Sequence, residues 1–285
     1  MKTLKLAVQK SGRLSDSSLN LIKECGITFP TRIARLKAAA FNFPVEFLYL
    51  RDDDIPGYVA DKVADVGIVG KNVLLEKTDD LEIVKELGFS KCRLSIAVPK
   101  EFNYQGVESL NGLNIATSYP RILSNFLKRQ GISADIHEIS GSVEIAPSIG
   151  LAEAVCDIVS TGSTLVSNGL SEVEVILNSE AVLVARPELD GPRRQILDQL
   201  LFRINAVQAA NNNKYILLNA PDQAIPRITE LLPGMRSPTI VPLAQEGWSS
   251  LHSVVKEDDF WEVIENLRDA GAEGILVVPI EKMVL

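Results

Sequence analysis

Cysteine and histidine are scarce in this chain. Its three cysteines, Cys25, Cys92 and Cys156, lie far apart and form no CxxC pair. That excludes a disulfide framework and a zinc-finger pattern, and makes reduced, buried thiols the expectation. His137 and His252 are the only histidines, each alone in a strand-like run. They point to structural roles and exclude paired imidazoles on zinc or a Ser/His/Asp relay. Basic residues are outnumbered: 29 Lys and Arg against 37 Asp and Glu leave a net charge of −8, with an isoelectric point near 5.0. A broad nucleic-acid surface needs a basic face, so no nucleic-acid partner is expected. No window approaches the roughly 20 apolar residues of a membrane span. The apolar run at residues 4–8 is too short for a secretion signal. These two features predict a soluble, cytoplasmic protein with no membrane partner. Neither a P-loop nor GxGxxG is present, which argues against kinase and dinucleotide readings. Internal repeats, low-complexity tracts and coiled-coil heptads are missing as well.

What is present is an alternation. With 285 residues and 46% hydrophobic content, the chain can build two or three cores. Residues 4–8, 45–50 and 65–69 read as strands, with helices over 15–24 and from Asp54, so a parallel α/β arrangement is expected. A second block begins near Arg93, with strands at 94–98, 113–117 and 134–139 and helices at 119–130 and 148–156. Strands at 174–177 and 181–185 and a long helix at 193–210 follow. The order implies two α/β lobes, one of residues 1–92 with 178–210 and one of 93–177, the chain crossing between them near 92 and 178. A cleft between lobes is the usual place for a small ligand. After the polar break Asn211-Asn212-Asn213, residues 211–285 read as β-α-β-β-α-β, the ferredoxin-like order. Its first helix, at 222–232, is stopped by Pro233-Gly234.

One stretch carries the chemistry most directly: Asp157-Ile158-Val159-Ser160-Thr161-Gly162-Ser163-Thr164-Leu165. A short apolar run ends in hydroxyls around one glycine. Backbone N–H groups in such a turn can point at an anion, with Ser160, Thr161, Ser163 and Thr164 as further donors. A phosphate fits there, with Asp157 beside it for a sugar hydroxyl; the plainer alternative is a serine-rich helix cap. Gln9-Lys10-Ser11-Gly12-Arg13-Leu14 follows the first strand, where two cations and a glycine suit a polyphosphate or make an ordinary surface loop. In Arg51-Asp52-Asp53-Asp54, Asp53 or Asp54 is expected to cap the next helix, Asp52 to be solvated and Arg51 to be functional. Gly70 lets backbone approach a ligand or makes a tight strand-to-helix turn. Glu144 and Asp157 can hold ribose hydroxyls or stabilise positive charge on a sugar carbon, or they serve as a cap and a loop brace.

Together these segments resemble one family, ATP phosphoribosyltransferase in its long form, nearly end to end. The most specific match runs from Gly141-Ser142-Val143-Glu144-Ile145-Ala146-Pro147 through Gly150-Leu151-Ala152-Glu153-Ala154 to the turn after Cys156-Asp157. Gln9 to Leu14, Arg51 to Pro56, Cys92-Arg93-Leu94-Ser95 and Ala116-Thr117-Ser118-Tyr119-Pro120 also match. Leu232-Pro233-Gly234, Arg236-Ser237-Pro238-Thr239-Ile240 and Pro279-Ile280-Glu281-Lys282-Met283 resemble the C-terminal domain that only the long form has.

The resemblance implies a two-lobed, periplasmic-binding-protein-like catalytic unit with a ferredoxin-like regulatory domain. It implies condensation of ATP with phosphoribosyl pyrophosphate to N1-(5-phosphoribosyl)-ATP and pyrophosphate, the first step of histidine biosynthesis. It also implies Mg²⁺ carried on substrate phosphates rather than by a protein ligand set, dimers or hexamers of one chain, and inhibition by histidine. By the same resemblance, Asp157, Ser160, Thr161, Gly162, Ser163 and Thr164 hold phosphoribosyl pyrophosphate. Lys10, Gly12, Arg13, Arg51, Asp65, Gly70 and Arg93 line the ATP side. Asp157, Glu144 and Arg13 serve catalysis, and Ser237, Pro238, Thr239 and Gly274 hold histidine. Two rivals are a prephenate dehydratase-like lyase with a regulatory domain and a non-catalytic small-molecule binding module. The 160–164 loop argues against the first, and the missing secretion signal argues against the exported kind of the second.

Overall fold

The computed structural model describes residues 2–30, 36–78, 80–232, 234 and 237–285. Pro233 and Arg236 of the C-terminal motif therefore lie outside the described residues. Two compact units emerge: Met1–Asn20 with Ile27–Leu197, and Leu21–Gly26 with Asp198–Leu285.

In chain order the elements begin with β1 (Leu4–Gln9), α1 (Arg13–Glu24), β2 (Lys37–Ala39), β3 (Val45–Leu50), α2 (Ile55–Ala60), β4 (Val66–Gly70), α3 (Lys71–Lys77) and β5 (Glu82–Glu86). There follow β6 (Cys92–Pro99), β7 (Asn114–Thr117), α4 (Pro120–Gln130), β8 (Asp135–Glu138), β9 (Ala154–Val159), α5 (Ser163–Ser167) and β10 (Leu170–Ser179). Then come β11 (Ala181–Ala185), α6 (Gly191–Asn211), β12 (Asn213–Pro221), α7 (Ile225–Leu231), β13 (Thr239–Pro242), β14 (Trp248–Lys256), α8 (Glu257–Asp269) and β15 (Glu273–Pro279).

The first unit holds two sheets of matching design. One has the order β2-β3-β1-β4-β11-β5, the other β10-β6-β9-β7-β8. In each, three parallel strands (β3, β1, β4 and β8, β7, β9) are followed by an antiparallel one, β11 or β6. That strand comes from beyond the far crossover, so each sheet is completed by chain adjoining the other. The crossovers run side by side, Leu87 N donating to Ala181 O and Ala181 N to Phe89 O, both at 2.9 Å. Central strands covered on both faces need apolar residues throughout, and every residue of β11 is buried, as is β4 from Val66 to Val69. The carboxyl ends of the parallel strands are where open α/β sheets bind ligands.

The second unit contains a four-stranded antiparallel sheet, β13-β14-β12-β15. Period-2 alternation along β12 buries Ile216, Leu218 and Ala220. These pack with Ile228 and Leu232 and with Phe260 and Leu267 in one core. The β-α-β-β-α-β order read from the sequence is the order found.

Two short strands, β2 and β5, were not expected, and one expected helix is not there. Residues 148–156 divide into a turn and the start of β9. Pro147 opens the turn, Gly150 takes a φ of +72°, and Leu151 N bonds to Ala146 O at 3.0 Å. From Ala154 to Cys156 the side chains are buried in the sheet.

Candidate active site

At the carboxyl end of β9 the chain makes the turn that the sequence suggested. Val159 and Leu165, on either side of it, are 2% and 6% exposed and share a core with Val143 and Ala146. That common core brings the segment carrying Glu144 up to the strand carrying Asp157. Between the anchors, Ser160, Thr161, Ser163 and Thr164 are exposed. Gly162 takes φ +82° at the start of α5, a backbone region costly to residues with a Cβ. Thr161 Oγ1 and Ser163 Oγ lie 3.1 Å apart.

Asp157 is only partly buried, and burial raises its carboxyl pKa. The Ile158 N–H, at 2.7 Å, pulls the other way, while the charge of Glu144 adds to the rise. Glu144 lies in a single 3-10 turn (Val143–Ile145) whose preceding residue, Ser142, is left-handed at φ +52°.

The carboxyl ends of β1 and β3 carry the cationic residues. Gln9 pairs with Leu50, and Lys10 N donates to Leu50 O at 2.8 Å. Lys10 and Arg51 therefore leave adjacent strand ends, and both are exposed. Gly12, at φ +101°, turns the chain into α1, which begins with Arg13. Lys10, Gly12, Arg13 and Arg51 form one group.

Asp52 and Asp53 follow. Neither Asp53 nor Asp54 caps the next helix through its side chain, and Asp52 is half-buried rather than fully solvated. Asp52 Oδ1 is buried without a hydrogen-bond partner among the described residues. Burial, helped by the charge of Asp53, pushes its pKa up to about 6.

Hydrogen bonds between α3 and the end of β7 link the lobes. Asn72, 7% exposed, donates from its backbone N to Ser179 Oγ and from Nδ2 to the Tyr119 phenol at 3.1 Å, and accepts from Ser179 Oγ at Oδ1. One turn on, Glu76 accepts from Arg121 N at 2.9 Å and Ile122 N at 3.0 Å. These are first-turn amides of α4, which the start of the helix leaves without intrahelical acceptors, and Glu76 supplies the acceptors instead. Burial raises the Tyr119 pKa; the Asn72 bond opposes the rise, while the charges of Asp157, Asp53 and Asp52 add to it. The same charges place Tyr119 among groups from both lobes. A cavity of about 510 Å³ opens beside it, lined in part by Asp53, Glu76, Ser118, Ser140 and Gly141. Sequence reasoning gave Asn72 and Glu76 no role.

Three residues expected on the ATP side are placed elsewhere or otherwise engaged. Asp65 sits before β4, at the amino end of the sheet, away from the cleft. It accepts Lys5 N at 2.9 Å and ion-pairs with Arg186 at 3.0 Å and Arg193 at 3.2 Å. Arg93 is bound by both oxygens of Glu172 and donates to Ser160 O at 3.3 Å. Gly70 is required by a neighbour, since a Cβ there would stand 2.5 Å from Asn72 Oδ1. In the second unit, Ser237, Pro238 and Thr239 lie at the start of β13, while Gly274 lies on β15. These are opposite edges of the sheet, three strand spacings or about 14 Å apart, so the four cannot surround one small ligand within a chain. His252 is held between Tyr215 OH at 2.8 Å and Ser250 Oγ at 3.1 Å, the structural placement expected. Among the described residues no helix is long and apolar enough to cross a membrane.

Two lobes of this topology, one with a hydroxyl-lined turn and the other with a cationic loop pair, followed by a ferredoxin-like unit, fit a pentosyltransferase with an appended domain. Residues 51–206 match the family model described as ATP phosphoribosyltransferase, and residues 210–282 the one described as the HisG C-terminal domain. A protein named ATP phosphoribosyltransferase from Cytophaga hutchinsonii is 64% identical over 281 residues, covering 99% of this chain and 98% of its own. One of the same name from Bacteroides thetaiotaomicron is 55% identical over 282 residues, covering 99% of this chain and all of its own. Among solved structures, the ATP phosphoribosyl transferase (HisG:HisZ) complex from Thermotoga maritima aligns with a TM-score of 0.62 at 28% identity, over 71% of this chain and 96% of that one. The chain belongs to the ATP phosphoribosyltransferase family, in its long form, and is an enzyme of histidine biosynthesis.

Proposed function

We propose that the cleft joins ATP to phosphoribosyl pyrophosphate through the groups just described. Adenine N1 attacks the anomeric carbon of the ribose as the bond to pyrophosphate breaks, with inversion, giving N1-(5-phosphoribosyl)-ATP and pyrophosphate. The N1 lone pair needs no activation, so catalysis is positioning and electrostatics. The observation that carries this reading is the turn after Asp157, with a left-handed Gly162 and four exposed hydroxyl residues around it. It suits the 5-phosphate on Ser160, Thr161, Gly162, Ser163 and Thr164. Asp157 and Glu144 meet the ribose hydroxyls and stabilise charge developing at the anomeric carbon. Lys10, Gly12, Arg13 and Arg51 meet the ATP phosphates and the departing pyrophosphate, Arg13 taking up its growing charge.

Mg²⁺ enters with the polyphosphates of the substrates. In this reading the substrate phosphates supply its donors. Residues 1–92 with 178–210 and 93–177 serve as the catalytic lobes in this reading, and 211–285 as the domain through which histidine inhibits. The segment Ser237-Pro238-Thr239 is the effector candidate that remains once Gly274 is set apart. A homo-oligomer, as a dimer or hexamer, in the cytoplasm completes the proposal. Mixing the protein with ATP, phosphoribosyl pyrophosphate and Mg²⁺ tests it: the product's ultraviolet absorbance should grow, and histidine should slow it. No product from this substrate pair would overturn it.

A further inference from the structure

Arg93 lies on β6 between two strands, opposite Val159 at the end of β9 and Asn178 on β10. Each nitrogen of its guanidinium makes a hydrogen bond. Nε and Nη2 donate to the two oxygens of Glu172, and Nη1 donates to Ser160 O at 3.3 Å. Glu172 also accepts from Ser95 Oγ at 2.7 Å. Ser95 is 1% exposed and is the cross-strand partner of Asp157. A bulge in β10 just after Glu172 breaks the register there, and such a bulge redirects nearby side chains. One carboxylate on β10 therefore holds two side chains of β6: Ser95, the cross-strand neighbour of Asp157, and Arg93, whose guanidinium reaches the first residue of the turn.

A fork-on-carboxylate pair has its charge matched locally, so Arg93 is poorly suited to meet a polyphosphate. What it holds instead is a peptide plane. The Ser160 carbonyl and the Thr161 N–H belong to one trans peptide and point in opposite directions. With the carbonyl drawn to Arg93, the Thr161 N–H is turned away from it, toward the side of the turn left free for an anion.

We propose that Glu172 and Arg93 are a positioning pair that aims the Thr161 amide at the sugar donor's phosphate. This rests on the reading of the 160–164 turn as the phosphoribosyl pyrophosphate site. The pair touches neither substrate and sets affinity for one of them only.

Steady-state kinetics in both substrates, with calorimetric binding of phosphoribosyl pyrophosphate, test this on Arg93→Met, Arg93→Lys and Glu172→Gln. Each hydrogen bond to a charged group supports about a tenfold effect. Arg93→Met should therefore raise the KM for phosphoribosyl pyrophosphate about tenfold or more, leaving the KM for ATP within about twofold. Glu172→Gln should shift the same constant in the same direction, and the double variant should fall short of the product of the two. Arg93→Lys, which can serve Glu172 or Ser160 but not both, should be intermediate, and with Glu172→Gln it carries the test should Arg93→Met not fold. A rise in the ATP constant alone would make Arg93 a nucleotide ligand and overturn the pair. An effect of Arg93→Met with none from Glu172→Gln would overturn it too. Gly162→Val is the control on the underlying reading. Unchanged phosphoribosyl pyrophosphate binding in that variant removes the turn as the site, and the pair with it; weakened binding there beside silent Arg93 and Glu172 variants rejects the pair alone.

Discussion

Asn72 and Tyr119 connect the two lobes: the carboxamide on α3 donates to the phenol at the end of β7 across 3.1 Å. Because Asn72 Oδ1 also accepts from Ser179 Oγ, truncating the side chain takes a donor from the Tyr119 phenol and an acceptor from the Ser179 hydroxyl. Asn72→Ala should cost about 1–3 kcal/mol of stability and lower kcat/KM for both substrates. Gly70→Ala should do much the same, since its new methyl would displace the Asn72 side chain. In the double variant the second change should add little. Urea denaturation and kinetics on the three proteins check this; fully additive losses would separate Gly70 from Asn72.

Gly162→Val tests the turn directly. A Cβ at Gly162 meets nothing closer than Val159 Cγ1 at 3.8 Å, so space is available. The obstacle is φ +82°, which costs a β-branched residue about 1–3 kcal/mol. The turn should relax to another shape, with the KM for phosphoribosyl pyrophosphate rising about tenfold or more and ATP binding unchanged. Titration calorimetry with each substrate separates the two effects.

Asp65→Ala should damage stability and spare the chemistry. Asp65 is nearly buried and answers two guanidiniums and one amide. Removing one member of such a cluster strands the others at a cost of about 3–5 kcal/mol. The folded fraction should retain both KM values, measured at low temperature beside a urea titration. A selective loss of ATP affinity would return Asp65 to the nucleotide side.

Asp52 gives a pH dependence with a definite sign. Its folded-state pKa, about 6, stands above the ordinary 3.8. Between those values the folded protein keeps a proton that the unfolded chain has released, so stability from this group falls as pH rises through about 6 and is lowest above it. Asp52→Asn should stabilise by about 1–2 kcal/mol at pH 8, after allowance for partial exposure. The gain should vanish near pH 4. Denaturation midpoints across that range check it, and a gain independent of pH would point to a cause other than ionisation.

The sequence made the local features plain and left the distant ones dark. The turn at Gly162, the alternation of β12 and the βαββαβ order each depend on residues a few positions apart, where apolar periodicity and glycine speak directly. Asp65 looked like a cleft residue because its partner Arg186 lies 121 positions away, and no pattern announces such a pairing. Arg93 misled for the same reason, with Glu172 79 residues on. The strand β5 is short, half polar and at a sheet edge, so it lacks the hydrophobic signal on which strand recognition relies. Residues 148–156 looked helical from their small apolar spacing, but Pro147 and Gly150 favoured a turn.

The shared strands of the two sheets bear on how the protein is made. As the chain leaves the ribosome, β1, β3 and β4 emerge first, yet their antiparallel neighbour β11 arrives only after every strand of the other sheet. Until about residue 185 has been synthesised, the early half carries an open strand edge, the kind of surface that invites mispairing. The second sheet has no such wait, because β6 precedes its partners. The later-made half should thus be the first to mature, and β11 should be the final seam, closing the nascent fold in one late, long-range step.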